Sequence, residues 1–555
     1  MPTDISWFLH LSKKELIDLQ ELDLSKEGGF FGLASLNIIK FNIFCINLSM
    51  CRKLRRLSLS RVHLELLRYV AFKKLCCALA ELKELQQLDL SNNNIGYFDK
   101  GHILCFSASI TKLSGLIQLN LGGNDLAMLD YGRFIILLNA IRHCFNLKNF
   151  MLYANKFYLL QKEKIVVLRE LFDDLNNLLS LNLRRNDLGS LKDELFSEFC
   201  SLLSRCRNLY QLDLSVNKLY LLNQLMFSLL CNTLLTCNNL QALQLMSNQI
   251  DSLNAHDFVA LSEVLQKMQI INLNNNSLGY LDDNQFFAFC NLIKNNKQLR
   301  ELYLARNHFF NLTYDKIYAL SDALMGSGGC LVLDLSNNKF VYLATNNYFA
   351  LCFMMFKVDS LQELYLSDND LVEVGVIKLQ IIPRVFKLTS QLRAVYLQGN
   401  GFNKLPDYDL LRFCESLASC NLKLIDLRNN NFTAAKTALV NKCFELINIK
   451  SLQKVRFSNQ KTRSILLSWQ RYRSLDNHKK ADKNKVSNFI DIFNLTKRFS
   501  RLNIQELQEK SDFGNNFSNL TTDLVELVLE YCDLIKTEPN GTKSQPKVFR
   551  LDVKL

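Results

Sequence analysis

The sequence predicts an α/β solenoid, with a parallel sheet on one face and a layer of α-helices on the other. Three observations predict this fold. One short frame recurs twelve times, most often at a step of 31 residues. Within each frame leucine alternates with other residues, and after it apolar residues recur at helical spacing. Such a period indicates units that bury their apolar faces only against their neighbours.

The strand comes first in each unit and is seen in Leu85-Gln-Gln-Leu88-Asp-Leu90. Alternation places the leucines on one face and the intervening residues on the other, as in a half-buried strand. Asn93 follows where the chain must turn, and its amide is suited to pair with buried backbone groups of the turn. Consecutive strands are therefore expected to stack in parallel, with the asparagines forming a ladder.

The frame begins again at Leu116, Leu147, Leu178, Leu209, Leu240, Met268, Leu299, Cys330, Leu361, Leu392 and Leu422. The ladder asparagines after Asn93 are Asn124, Asn155, Asn186, Asn217, Asn248, Asn276, Asn307, Asn338, Asn369, Asn400 and Asn430.

A helix follows each strand and turn. In one unit Phe134, Leu137, Leu138 and Ile141 recur at spacings of one helical face. Asp193 and Asp283 each stand three residues before such a phenylalanine, and they are predicted to be N-caps. The strands are expected to line the concave face of a horseshoe and the helices its convex face.

The ends of the array are degenerate. Leucines of the frame recur upstream at 54–64, with Val62 in place of the asparagine, and again at 19–24, while Leu452, Val455 and Phe457 make a last strand. Terminal units must cover the core against water, so atypical sequences are expected there. The predicted domains are an N-terminal cap with a degenerate repeat at 1–53, an array of about 13–14 repeats at 54–460, and a helical C-terminal region at 461–555.

The twelve frames resemble those of leucine-rich repeat proteins of the ribonuclease-inhibitor-like type, which have a helix in every repeat. The resemblance covers residues 54–457. It implies a horseshoe-shaped solenoid that binds proteins and is not an enzyme. With its single long array and short tail, the chain is also similar to the leucine-rich repeat effectors that intracellular bacteria deliver into host cells.

Composition favours a cytoplasmic protein. The N-terminus lacks the charged and apolar segments of a signal peptide, and the most apolar stretch, 30–50, is interrupted by Lys40, so no membrane span is predicted. The chain has 17 cysteines, and several share one position, three residues before the first leucine of a strand: Cys51, Cys144, Cys206 and Cys237. These are predicted to be core thiols in a reducing compartment.

Motifs of catalysis and metal binding are absent from the sequence. The seven histidines are scattered, no C-x-x-C pair occurs, and there is no P-loop, G-x-S-x-G or dinucleotide fingerprint. The sequence therefore predicts no enzyme activity, no metal and no cofactor.

Partner binding is predicted on the exposed strand positions, where tyrosine and arginine are the usual interface anchors. The predicted binding residues are Tyr303, Tyr365 and Tyr396 with Arg300, Arg306 and Arg393, and a smaller group of Tyr153, Arg184 and Arg185. Acidic and basic residues both occur on this face, so the sign of the partner's charge is left open.

The C-terminal region carries two further motifs. Residues 461–510 hold more than twice as many Lys and Arg as Asp and Glu, which suits contact with anionic membrane or nucleic acid as well as a solvated helix face. Residues 520–533 resemble the first helix of an F-box, which docks substrate adaptors onto cullin ubiquitin ligases, although Thr521 stands where that family has proline. The docking residues implied are Leu520, Leu524, Leu527, Val528 and Tyr531.

Three functions follow from these patterns. The first is a protein-binding scaffold, with a host protein as partner if the chain is a bacterial effector. The second is a substrate adaptor that recruits a ubiquitin ligase through 520–533, and the third is a protein held at an anionic surface by 461–510. An amphipathic capping helix is the alternative reading of 520–533.

Overall fold

A single parallel sheet of fifteen strands forms one layer, and the strands are ordered along the sheet as they are along the chain. The computed structural model describes residues 5–25, 32–446 and 454–456. All of these lie in the first of two units, 1–462 and 463–555. This is the leucine-rich repeat solenoid that the period predicts.

The strands are three residues long: β1 Glu21–Asp23, β2 Arg56–Ser58, β3 Gln87–Asp89, β4 Gln118–Asn120, β5 Asn149–Met151, β6 Ser180–Asn182, β7 Gln211–Asp213, β8 Ala242–Gln244, β9 Ile270–Asn272, β10 Glu301–Tyr303, β11 Val332–Asp334, β12 Glu363–Tyr365, β13 Ala394–Tyr396, β14 Leu424–Asp426 and β15 Lys454–Arg456. The degenerate units thus supply β1, β2 and β15, as predicted.

The α-helices are α1 Ile5–Leu9, α2 Lys13–Asp18, α3 Ile38–Met50, α4 Tyr69–Ala80, α5 Lys100–Ile110, α6 Tyr131–Ile141, α7 Lys162–Asp174, α8 Asp193–Leu203, α9 Gln224–Thr236, α10 Ala255–Leu265, α11 Asp283–Asn295, α12 Tyr314–Gly326, α13 Thr345–Lys357, α14 Val376–Leu379, α15 Ile381–Leu388, α16 Asp407–Ala418 and α17 Ala434–Leu446.

Leucine spacing sets the register of the sheet. The central leucine of each strand pairs with that of the next, as Leu88 does with Leu119, and both are fully buried between sheet and helices. Neighbouring strands lie about 4.8 Å apart, whereas packed helices need about 8–10 Å. The sheet is therefore the inner, concave layer of the solenoid.

The asparagine ladder forms as predicted. Asn124 is fully buried, and its Oδ1 accepts hydrogen bonds from the N–H of Asn93 at 2.8 Å and of Ile95 at 3.4 Å. Its Nδ2 donates to the carbonyl of Leu90 at 2.9 Å. Each amide thus satisfies backbone groups of the preceding rung that water does not reach.

The turn after each strand was only partly predicted. It contains two left-handed residues that flank the ladder asparagine, such as Asn92 (φ 57°) and Asn94 (φ 51°), followed by a single turn of 3-10 helix. Ordinary side chains also occupy these positions, for example Val216 and Lys218, so residue type gave no signal for the turn.

The predicted N-caps at Asp193 and Asp283 are wrong by one residue. α8 and α11 begin at these aspartates, and the caps are Lys192 and Asp282. Asp282 accepts a hydrogen bond from the N–H of Gln285, whose side chain reaches back to the N–H of Asp282 in a capping box. The cap must precede the helical backbone, so Asp193 and Asp283 lie instead in the first turn, where the helix dipole favours them.

The first rung is covered by α1 and α2. The Phe8 ring packs edge-on against Phe44 of α3 at 5.4 Å between centroids, and Nδ2 of Asn47 donates to the Phe8 carbonyl at 3.0 Å.

The predicted core thiols are confirmed at Cys51 and its equivalents in later repeats, which are all buried. Burial raises the pKa of the Cys51 thiol to about 12.

Candidate partner-binding face

The exposed strand positions align in columns across the sheet, because the strands pair in register. In the central column Tyr303 lies beside Asp334, which lies beside Tyr365, and Tyr365 lies beside Tyr396. The structure thus brings the three predicted tyrosines together. We call this set, with Glu301 and Glu363 one column away, the tyrosine patch.

Tyr365 and Tyr396 form a stacked pair. Their ring centroids are 3.9 Å apart and their planes are 2° from parallel. Both hydroxyls donate to Oε2 of Glu363, at 3.0 Å from Tyr365 and 3.3 Å from Tyr396. Burial, the Tyr396 hydroxyl and the Glu363 charge raise the pKa of Tyr365, so it remains a neutral donor at physiological pH. Stacking and hydrogen bonds together fix both rings.

Tyr303 is held in the same way on its own rung. Its hydroxyl donates to Oε2 of Glu301 at 2.7 Å, and its pKa is raised by burial and by this carboxylate. Asp334, between Tyr303 and the stacked pair, accepts a hydrogen bond from the N–H of Ser336 at 2.9 Å. Burial raises the pKa of Asp334. The centre of the tyrosine patch is therefore aromatic and acidic.

The predicted arginines lie at the margins of the patch. Arg300 and Arg393 each directly precede a strand, so they lie at one edge of the sheet, and both are exposed. Arg306 lies beyond the other end of β10, exposed and with a left-handed backbone (φ 58°). Burial raises the pKa of Asp368 and the nearby Arg306 charge opposes that shift. Basic groups thus flank the acidic centre on both sides.

The Tyr153 ring leans toward the preceding rung, and its predicted partners in the second group lie on the following one. Its ring lies over Gly122 of the preceding rung, where a Cβ would come within 2.2 Å of the tyrosine Cε1. The ring therefore turns away from Arg184 and Arg185 on the following rung. It lines a depression of about 590 Å³ on the N-terminal part of the sheet, together with Arg56 and other residues. Sequence reasoning missed this depression, because it depends on the glycine.

Sequence reasoning also missed the carboxylates that orient the tyrosines. A signal was present, since the tripeptide Glu-Leu-Tyr occurs in both β10 and β12.

A second missed group is Asp426, which is fully buried and accepts hydrogen bonds from Arg428 at 2.7 and 2.9 Å. Burial opposes ionisation of Asp426, but Arg428 and a hydrogen bond from Gln398 together outweigh it and hold the pKa below its ordinary value.

The basic stretch 461–510 and the F-box-like residues 520–533 lie outside the described residues. Within the part of the chain that the structure describes, no helix is both long and apolar enough to cross a bilayer. In that same part, no group of three or more His, Cys, Asp or Glu side chains is arranged to hold a metal ion.

Comparison with known proteins finds a likeness among solved structures. No protein-family model matches the chain, and no curated protein matches it. Among solved structures, the chain is similar to the leucine-rich repeat-containing protein LegL7 from Legionella pneumophila, at 16% sequence identity and a TM-score of 0.36. The match covers 67% of this chain and 96% of that chain.

Proposed function

We propose that the repeat array is a protein-binding scaffold that holds its partner on the tyrosine patch and performs no chemistry. The observation that carries the proposal is the stacked pair of Tyr365 and Tyr396, oriented by Glu363. Aromatic rings fixed on a rigid sheet lose little conformational entropy on binding, which is what an interface anchor requires. Leucine-rich repeat folds typically serve as binding scaffolds.

The arrangement favours a partner that presents a basic side chain. Tyr303 and Tyr365 lie two strands apart, about 9.6 Å at the usual strand spacing, with Asp334 between them. A lysine or arginine entering there would meet two ring faces and the carboxylates of Glu301 and Glu363. Exposed arginines at the margins would pair with acidic groups around that side chain. The Tyr153 depression would then be a second, separate contact.

Finer features of the function are inferred from the fold and the resemblance. Each described repeat carries an α-helix, which supports the ribonuclease-inhibitor-like subclass. The buried thiols suit a reducing compartment and thus the cytoplasm. We infer that the chain acts inside a cell, and as an effector in a host cell if it is translocated.

The experiment compares binding by wild type and by a Tyr365→Ala/Tyr396→Ala variant. A matched control is Tyr280→Ala/Tyr342→Ala, which removes two exposed tyrosines from the 3-10 turns, away from the sheet face. Partners are captured from a eukaryotic lysate, then purified for titration. We expect affinity to fall at least about 100-fold in the first variant, as for loss of two anchors, and to be unchanged in the control.

A Glu363→Gln variant separates anchoring from charge recognition. The amide oxygen still accepts from both tyrosines, so the rings stay in place while the charge is lost. Weaker binding of a basic partner is expected, and thermal melting checks that each variant is folded. Equal binding by wild type and the double variant would refute the role of the patch.

The ligase-adaptor function stays a prediction. It requires Leu520, Leu524 and the rest of 520–533, and it predicts that a chain ending at 510 loses cullin-ligase subunits but keeps its target. The full-length chain and this truncation, compared in the same capture experiment, decide between adaptor and simple binder.

A further inference from the structure

An exposed apolar face lies on the outer side of α3. Ile39, Ile43 and Ile46 follow one another at spacings of four and three residues, so they lie on one side of the helix. Their exposed fractions are 67%, 39% and 59%. The opposite side of α3 is buried against the core through Phe41 and Phe44. The helix is thus apolar on both sides, and only one side has a partner among the described residues.

The exposed face continues onto the next two helices. Val70 of α4 occupies the repeat position of Ile39, 31 residues later, and it is 67% exposed. Leu104 of α5 is also exposed. We call Ile39, Ile43, Ile46, Val70 and Leu104 the convex apolar patch. Exposed apolar residues grouped on neighbouring helices mark an interaction site more often than scattered single residues do.

Some equivalent positions in later helices are charged, although Leu225 of α9 also takes the repeat position of Ile39 and is exposed. Glu163 of α7 and Asp315 of α12 take the repeat position of Ile39, and Glu170 and Asp322 take that of Ile46. These carboxylates keep the outer faces of α7 and α12 hydrated. The repeat itself therefore does not require an apolar residue at these positions, and α3 carries isoleucine at both of them.

Charge around the patch is positive. α3, α4, α5 and α6 contain no Asp or Glu. Lys40, Lys73, Lys74 and Lys100 are exposed on α3, α4 and α5. The Nζ of Lys74 donates to the neutral amide oxygen of Asn42 at 2.8 Å, so its charge is not neutralised there. An apolar centre with cationic groups around it is the surface that anionic bilayers bind.

We propose that the convex apolar patch docks onto the surface of an anionic phospholipid bilayer. The isoleucines enter the boundary between headgroups and acyl chains, and the lysines contact lipid phosphates and carboxylates. The sheet face lies on the other side of the layer, so the tyrosine patch stays open to a protein partner.

A second copy of the chain fits the patch less well. The three isoleucines span about 10.5 Å, at 1.5 Å rise per residue. Even the five residues of the whole patch are far fewer than the roughly 20–30 residues that each partner contributes to a stable interface. Two identical patches would also bring lysines of the same charge together.

The test is co-sedimentation of the full-length protein with vesicles. One set is phosphatidylcholine alone, and the other is equal parts phosphatidylcholine and phosphatidylserine. The variant is Ile39→Ser/Ile43→Ser/Ile46→Ser, and the matched control is Leu225→Ser/Val259→Ser, which alters two exposed apolar residues on α9 and α10. Circular dichroism confirms that both are folded, as expected for substitutions on an exposed face.

We expect wild type and the control to bind the anionic vesicles and not the neutral ones, and binding to weaken as salt screens the lysines. The isoleucine variant should partition at least about tenfold less, and Lys73→Glu/Lys74→Glu should also bind less. Equal binding by wild type and the isoleucine variant overturns the proposal. That result is expected if residues 461–510 carry the membrane binding instead. A wild-type dimer that the isoleucine variant loses would overturn it in favour of a second copy.

Discussion

Replacing Asn186 with alanine is expected to destabilise the centre of the array. Oδ1 of Asn186 accepts from the N–H of Asn155 at 2.8 Å and of Phe157 at 3.4 Å. Nδ2 donates to the carbonyls of Leu152 and Leu183, both at 2.9 Å. Because the site is fully buried, water cannot replace these bonds while the rungs stay packed.

The magnitude follows from the groups left unpaired. A buried donor or acceptor without a partner costs about 1–3 kcal/mol. Three of the four bonds of Asn186 are short and one is long, so the free energy of unfolding should fall by about 3–5 kcal/mol. Each repeat contacts only its neighbours, so the loss is local. Amides of β5 to β7 should therefore exchange with deuterium much faster, while distant rungs stay protected.

Asn208→Ala is the matched control. Asn208 is exposed, and its Nδ2 donates to the Asn176 carbonyl at 2.8 Å, while its Oδ1 accepts only a long hydrogen bond, 3.5 Å from Nδ2 of Asn239. Its loss should cost less than about 1 kcal/mol, because water can take the place of the amide. Urea unfolding followed by circular dichroism measures both variants, and exchange mass spectrometry locates the change. If Asn186→Ala costs no more than Asn208→Ala, the ladder does not stabilise the array as argued.

Three further predictions concern a buried hydroxyl, a buried carboxyl and the cysteine thiols. Tyr348→Phe should raise the free energy of unfolding by about 1 kcal/mol, because the hydroxyl is buried with only the Cys352 thiol beside it; a loss of stability in urea would mean that the hydroxyl has a stronger partner. Asp334→Asn should stabilise the protein near neutral pH and remove part of its pH dependence, since asparagine can keep the hydrogen bond without a charge. Burial raises the pKa of Asp334 in the folded state, so the ionised carboxylate destabilises the fold. This destabilisation is absent below the unfolded pKa of about 3.9 and grows as pH rises through the folded pKa. A difference in unfolding free energy between the two proteins that is the same at every pH would contradict this. A thiol reagent should modify Cys77 and Cys105 first among the described cysteines, because the others are buried. Peptide mapping after brief labelling measures this, and equal modification of the core cysteines would contradict the prediction.

Most of the fold could be predicted from the sequence, because every repeat restates the same constraints. Alternating leucines gave the strands, and the asparagine that follows gave the ladder confirmed at Asn124. The N-caps could be placed only within one residue, as at Asp193, because aspartate is favourable both at the cap and in the first turn. The left-handed turns were missed, because residues such as Val216 adopt them under the constraint of neighbouring rungs.

Less of the candidate site could be predicted. The period shows that Tyr365 and Tyr396 share a column, but not that their rings stack or that Glu363 holds both hydroxyls. The direction of the Tyr153 ring depends on a glycine one rung away. In α3, apolar residues lie on both sides of the helix, so the pattern alone could not tell which side is buried. Packing decides these features, and packing is not local in sequence.

The asparagine ladder also has a direction, which matters for biosynthesis. Each asparagine side chain serves the rung before it, as Asn217 does for the N–H of Asn186 and the carbonyl of Leu183. A rung emerging from the ribosome therefore lacks the amide that completes its turn until about one more repeat has been translated. The array should thus mature one repeat behind synthesis, and a nascent chain stalled between two asparagines would end in an open turn.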